Sequence, residues 1–271
     1  MPFLHAIVLG IVQGLTEFLP ISSSGHLRIV PAFLGWEDPG AAFTAVTQLG
    51  TVSAVLLYFR RDLIGIVRAA FAGLRDPAAR TTQEFKLAVL ITIGTIPLGV
   101  LGFLFRHQIE EGARSLTLIG TTLIVLGLLL LVAERVSTRR RELDSLTTRD
   151  GVIIGFAQAL ALVPGVSRSG STITAGLLLN FDRAAAARYS FLLSVPAVVI
   201  SGLFELRDIG EAGGASFGAT ALATLLAFIT GYASIAFLLR FLVNHSTAIF
   251  VAYRVVLGAV VLVLVSTGTI A

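Results

Sequence analysis

Apolar residues run almost unbroken through most of the chain, and polar residues collect in short clusters between the runs. A helix needs about 20 mostly apolar residues to cross the hydrocarbon of a bilayer. Six stretches meet that requirement: 41–59, 86–106, 115–134, 185–205, 217–241 and 248–269. Two more, 3–35 and 151–180, are apolar but interrupted by Pro, Gly and Ser at Pro20 to Gly25 and at Pro164 to Gly170. An apolar segment broken at its centre predicts a re-entrant helical hairpin. Backbone that leaves the helix at that depth must face protein or a wet cavity, because lipid cannot satisfy it. The expected architecture is an all-α membrane protein with six transmembrane helices plus two re-entrant helical hairpins, in a single integral membrane domain over 1–271.

Composition agrees with this pattern. The chain is 55% hydrophobic and 13% charged, against about 25% charged in a typical soluble domain. No cysteine is present, which excludes a disulfide framework and a thiolate metal site. The net charge of +4 would suggest nucleic acid in a soluble protein, but the arginines lie in loops between apolar runs, where orientation in the bilayer accounts for them. No nucleic-acid partner is expected. The first apolar run lacks a basic leader and a small-residue cleavage site, so it reads as a retained membrane segment.

The two broken segments resemble each other. Gln13 to Gly25 carries Gln, then Pro, then Ser-Ser-Gly, and Gln158 to Gly170 carries Gln, Pro and Ser-Arg-Ser-Gly over the same interval. The likeness continues in Phe59 to Leu63 against Leu206 to Ile209, and in Leu126-Gly127 against Leu257-Gly258. The chain therefore divides into halves at 1–140 and 145–271. Arginines crowd 60–86 and 135–149, whereas 36–40 and 208–216 hold acids without Lys or Arg. By the positive-inside rule the first two segments are cytoplasmic and the others external. Threading the chain on that basis makes the halves antiparallel. In inverted-repeat proteins of this kind, sites form near the midplane where broken segments meet. Both termini then face outside.

Tip to tip, the breaks would gather Glu17, Ser22, Ser23, Ser24, Gly25 and His26 with Ser167, Arg168, Ser169, Gly170, Ser171 and Thr172. That set suits a phosphate: Arg168 as a fork donor, hydroxyls and glycine-freed N–H groups as further donors, and helix starts as positive dipole ends. Gln13 and Glu17, one helical turn apart, offer hard oxygen ligands suited to Mg2+ or Ca2+, with substrate phosphate completing the shell. Ser23 could act as a nucleophile activated by Glu17 or His26, or the same groups could position water. A structural pairing of Arg168 with Glu17 is the competing assignment for those two. Gln48 and Asn180 read as local hydrogen-bonders, and His107 and His245 as interfacial residues.

Gly10 to Leu27 (GIVQGLTEFLPISSSGHL) and Pro164 to Ile173 (PGVSRSGSTI) resemble the two signature stretches of the undecaprenyl-diphosphate phosphatases of the bacitracin-resistance type. The resemblance implies hydrolysis of undecaprenyl diphosphate, a polyprenyl diphosphate lipid substrate, to undecaprenyl phosphate and phosphate. It also implies recycling of the carrier for peptidoglycan synthesis, divalent-cation dependence, and a site in the bacterial cytoplasmic membrane open to the outer side. By motif position Ser23 matches the proposed nucleophile, Ser167 and Arg168 the phosphate-binding pair, and Glu17 the second member of a (Glu/Gln)-x-x-x-Glu pattern whose first member here is Gln13. The alternative from another class is a transporter or flippase of a phosphorylated polyprenyl lipid or small anion, since inverted repeats with broken helices also build transporters. A homodimer is compatible with the sequence.

Overall fold

The computed structural model describes residues 1–38, 40–105, 115–205 and 216–270. Those residues are helical almost throughout and contain no β-strand, only a lone bridge between Arg141 and Phe181. The α-helices are α1 Phe3–Phe18, α2 Ser23–Leu34, α3 Gly40–Tyr58, α4 Arg60–Arg75, α5 Gln83–Leu104, α6 Leu116–Val136, α7 Thr148–Ala159, α8 Arg168–Leu178, α9 Arg183–Glu205, α10 Phe217–Asn244 and α11 Ala248–Ser266. Five of them, α5, α6, α9, α10 and α11, contain stretches long and apolar enough to cross a membrane. The sixth expected span, 41–59, coincides with α3, whose Val46–Tyr58 portion ranks among the shorter apolar helices. His107, the Leu206 to Ile209 stretch and the acidic 208–216 segment apart from Ser216 lie outside the described residues.

Both broken segments are helical hairpins. α1 stops at Phe18 because Leu19 precedes Pro20 and is driven to extended backbone, with ψ 143°. α7 ends in a short 3-10 turn, Leu160–Leu162, and Val163 before Pro164 is likewise extended, with ψ 126°. The chain restarts as helix at Ser23 and at Arg168. Each restart is capped by the preceding serine: the Gly25 N–H donates to Ser22 Oγ at 3.3 Å, and the Gly170 N–H donates to Ser167 Oγ at 3.1 Å. Both capping serines lie in left-handed backbone, at φ 76° and φ 69°. The two turns are thus built alike, and each carries strain of about 1–3 kcal/mol.

Each hairpin packs on a helix of the opposite half, α1 on α10 and α7 on α5. Helices come this close in lipid when small residues let their backbones touch. At Gly155 a Cβ would lie only 2.6 Å from Gly94 Cα, so a methyl group has no room there. Phe18 of α1 meets Phe191 of α9 edge to face, with ring centroids 5.4 Å apart.

Two features of this frame were not expected from the sequence. Residues 60–75, read as loop, form α4, which lays Gly73 against the Phe85 ring of α5. Ile64, Val67, Phe71 and Leu74 remain exposed along one face of α4. Second, Glu134 at the end of α6 is buried and accepts from Arg183 and from Arg139 (2.9 Å). It also accepts from the Thr247 hydroxyl at 2.8 Å, which fastens α6 to the starts of α9 and α11. Nearby, Arg141 Nη2 donates to Asp150 at 2.6 Å, and the Thr147 hydroxyl donates to the same carboxylate at 2.7 Å.

Candidate active site

The hairpin tips meet, and the first contact between them is an ion pair: Arg168 Nη2 donates to Glu17 Oε1. The other carboxylate oxygen, Oε2, accepts from Ser23 Oγ at 2.6 Å and from Gln13 Nε2 at 3.1 Å. Local structure explains each placement. Gln13 and Glu17 share one face of α1, a turn apart. Ser23 and Arg168 are the first residues of the helices that restart after the two breaks. Ser169 Oγ donates across to the Leu19 carbonyl at 3.0 Å, tying the second turn to the first.

These groups form the polar end of a cavity of about 750 Å³. Gln13, Glu17, Ser23, Ser24, Ser167 and Arg168 line that end, and Thr44, Gln48 and Thr95 extend it. Leu98, Phe103, Leu162 and Ile200 supply an apolar wall. Arg168 commits one donor to Glu17, while its Nε and Nη1 hydrogen-bond none of the described residues. The backbone N–H groups of Ser23, Ser24, Arg168 and Ser169, in the first turns of α2 and α8, have no backbone acceptor among the described residues. Hydroxyls, a guanidinium and the first residues of two helices line one cavity, a donor set suited to an anion with several oxygens.

Other residues of the expected set lie behind this surface. His26 is buried against the second layer: Nδ1 bonds the Ser22 carbonyl at 2.6 Å, and Nε2 meets the Tyr253 hydroxyl at 2.7 Å. It does not line the cavity. Thr172 turns away too, donating to the Arg168 carbonyl at 2.8 Å and pairing with the Ser190 hydroxyl at 2.6 Å. Ser171 donates to the same carbonyl at 3.0 Å. Ser22 caps its helix from behind the cavity, Ser167 caps its own while lining the cavity, and Gly25 and Gly170 supply the capped N–H groups.

Among the described residues no group of three or more His, Cys, Asp or Glu could hold a metal ion. Gln13 Oε1 is nevertheless buried without a partner, a turn from the Glu17 carboxylate. An orphaned hard oxygen beside a carboxylate fits a divalent ion that brings most of its ligands from phosphate and water.

Three features escaped the sequence reading. Gln48, expected to hydrogen-bond locally, lines the cavity. Thr44 and Thr95 join it there, although polar residues scattered singly along apolar spans carry no motif. Arg254 lies wholly buried in the middle of α11, and a lone arginine inside so apolar a span was the signal that could have found it.

Fold and cavity define a multi-pass helical membrane protein whose buried Glu, Ser and Arg side chains come together where two interrupted helices meet. A family model described as bacitracin resistance protein BacA matches residues 6–260, and the chain belongs to that family. It is 53% identical over 270 residues to an undecaprenyl-diphosphatase of Nocardioides sp., covering 99% of this chain and 98% of that one. Over 270 residues it is 53% identical to an undecaprenyl-diphosphatase of Thermobifida fusca, covering 100% of this chain and 92% of that one. An undecaprenyl-diphosphatase of Mycolicibacterium smegmatis is 52% identical over 275 residues, with 100% and 99% covered.

Proposed function

We propose that the chain is an undecaprenyl-diphosphatase, hydrolysing undecaprenyl diphosphate to undecaprenyl phosphate and inorganic phosphate. This activity recycles the lipid carrier of peptidoglycan synthesis and confers bacitracin resistance. The observation that carries the reading is Arg168: one donor is held by Glu17 and the rest of its fork is free in the cavity, across from Ser23. In this reading the terminal phosphoryl group sits between the guanidinium and the N–H groups that open α2 and α8, with the polyprenyl chain along the apolar wall. Keeping that chain in lipid is worth about 0.8 kcal/mol per CH₂, which favours a cavity open sideways to the bilayer.

The hydrogen bond from Ser23 to Glu17 sets the first step. Ser23 Oγ attacks the terminal phosphorus, the bond from that phosphorus to the bridging oxygen breaks, and undecaprenyl phosphate leaves. Glu17 takes the Ser23 proton. Water then attacks the phosphoserine, phosphate departs, and Ser23 Oγ is reprotonated. Arg168 balances the charge that spreads over the phosphoryl oxygens. His26 holds the Ser22 carbonyl and so steadies the turn rather than touching substrate. A divalent ion, Mg2+ or Ca2+, would be held by Gln13, Glu17 and the diphosphate, and would supply neutralisation of the leaving phosphate.

The same reading makes the protein an inner-membrane enzyme with α3 as a sixth span and two inverted halves, 1–140 and 145–271. The matched serine caps and the reciprocal packing of α1 on α10 and α7 on α5 support the repeat. In the proposed threading, the cavity is walled by the outer portions of α5 and α9. The Glu134 network lies at the opposite, arginine-rich end, which supports an opening toward the periplasm. Transport of a phosphorylated lipid is the second reading, favoured by the repeat itself. Purified protein in detergent, given undecaprenyl diphosphate with Mg2+ or Ca2+, should release phosphate. No release under those conditions, together with movement of the lipid between leaflets of proteoliposomes, would establish transport instead.

A further inference from the structure

Among the described residues Arg254 is the largest side chain fully shielded from solvent. Among the described residues it has no carboxylate partner, and backbone carbonyls surround it instead. Nη1 donates to the Pro20 carbonyl at 3.1 Å. Nη2 donates toward Gly165 at 3.4 Å, Val166 at 3.2 Å and Thr122 at 3.3 Å. Nε donates to Leu123 at 3.2 Å. A buried cation without a counter-ion persists only when its donors are matched by other acceptors.

The identity of those acceptors gives the arrangement its meaning. Pro20 belongs to the first break, and Gly165 and Val166 belong to the second, so their carbonyls have left the helical ladder and need donors from elsewhere. The three residues precede Ser22 and Ser167 closely, and those serines cap the helices that begin with Ser23 and Arg168. A planar fork with five N–H donors can hold both turns and α6 together, whereas the compact lysine ammonium cannot. Gly170 leaves the space: a Cβ there would sit 2.7 Å from Nη1.

We infer that Arg254 is a positioning residue that clamps the two hairpin turns to each other, and thereby sets the distance from Ser23 to Arg168 without touching substrate. The inference rests on the hydrolytic reading for its kinetic consequence, while its structural consequence is independent of it. Misplacing a reacting group by about 1 Å can cost about a hundredfold in rate. In the full-length protein, Arg254→Lys should therefore lower kcat about a hundredfold with KM within about twofold of wild type, since ground-state binding is not what the clamp serves, and should lower the thermal midpoint because buried carbonyls lose their donors.

Because the chain has no native cysteine, spin labels at Leu15→Cys and Val163→Cys report directly on the two hairpins. Their distance distribution should be narrow in the wild type and should broaden or shift in Arg254→Lys and Arg254→Met. Wild-type kcat in Arg254→Lys, or an unchanged distribution in either folded variant, overturns the clamp. Absence of phosphate release by the wild type would sink the hydrolytic reading alone, since the label distances still decide the clamp. Should the Arg254 variants fail to fold, Gly170→Ala presses on Nη1 from the other side. It should reproduce the kcat loss and the broadening, and wild-type behaviour there overturns the inference.

Discussion

Arg168→Ala, set beside a double variant that removes both charges of the pair, separates catalysis from folding at the centre of the site. Glu17 and Arg168 are 7% and 17% exposed, so removing the guanidinium leaves a nearly dry carboxylate held only by Ser23 and Gln13. Breaking one side of such a pair costs about 3–5 kcal/mol at full burial. The cost to turnover is of similar size: an arginine that neutralises a transferring phosphoryl group is worth about 10³–10⁵ in rate, or about 4–7 kcal/mol. Arg168→Met combined with Glu17→Gln removes both charges. Its thermal midpoint should return toward wild type, because no uncompensated charge remains, while phosphate release from undecaprenyl diphosphate stays lost. Turnover within about tenfold of wild type in Arg168→Ala would refute the phosphate role, and a double variant less stable than Arg168→Ala would refute the charge argument.

Three further outcomes follow from the same geometry. Ser23→Ala should abolish phosphate release and any acid-stable phosphoenzyme, since the attacking oxygen is gone; retained turnover would move the attack to a water held by Glu17. Ser167→Ala should lower stability by about 1 kcal/mol through loss of the cap, whereas Ser167→Gly, which relieves the left-handed backbone, should cost only a few tenths; a thermal midpoint for Gly below that for Ala would contradict the strain assignment. Burial alone would raise the Asp150 carboxyl, but hydrogen bonds from Arg141 and Thr147 and the charge of Arg141 outweigh it and hold the group below its usual range. That contribution is complete above about pH 4 and is lost as pH falls through the depressed value, so acid should destabilise wild type more steeply than Asp150→Asn in thermal melts.

Residues whose meaning is local were legible in the sequence. Pro20 and Pro164 end helices by their own geometry, so both breaks fall where the prolines put them. The long apolar runs became helices with bounds close to those expected, because length and apolarity dictate a span. The pairing of Glu17 with Arg168, weighed only as a structural competitor, is present together with the Ser23 contact, and the free remainder of the guanidinium lets pairing and phosphate binding coexist. What could not be read depends on which way a side chain turns. His26 shares a motif with Ser23 yet bonds Tyr253 from α11, and Gln48 reaches the cavity from α3. α4 was hidden because its arginines drew attention to charge, while Ile64, Val67, Phe71 and Leu74 recur at helical spacing beneath them.

That helix has a mechanical consequence. With one side fastened to α5 through Gly73 and Phe85, α4 presents an oily keel flanked by Arg61, Arg68 and Arg75, the composition of a helix that floats at the headgroup boundary. Since α5 also carries Leu98 and Phe103 of the cavity wall, a helix seated at that boundary would couple the depth of the cavity to the bilayer. Thickening the bilayer with longer acyl chains should therefore shift the chamber against the plane of the lipid phosphates, and shaving the keel with Phe71→Ser and Leu74→Ser should remove that dependence of turnover on lipid length.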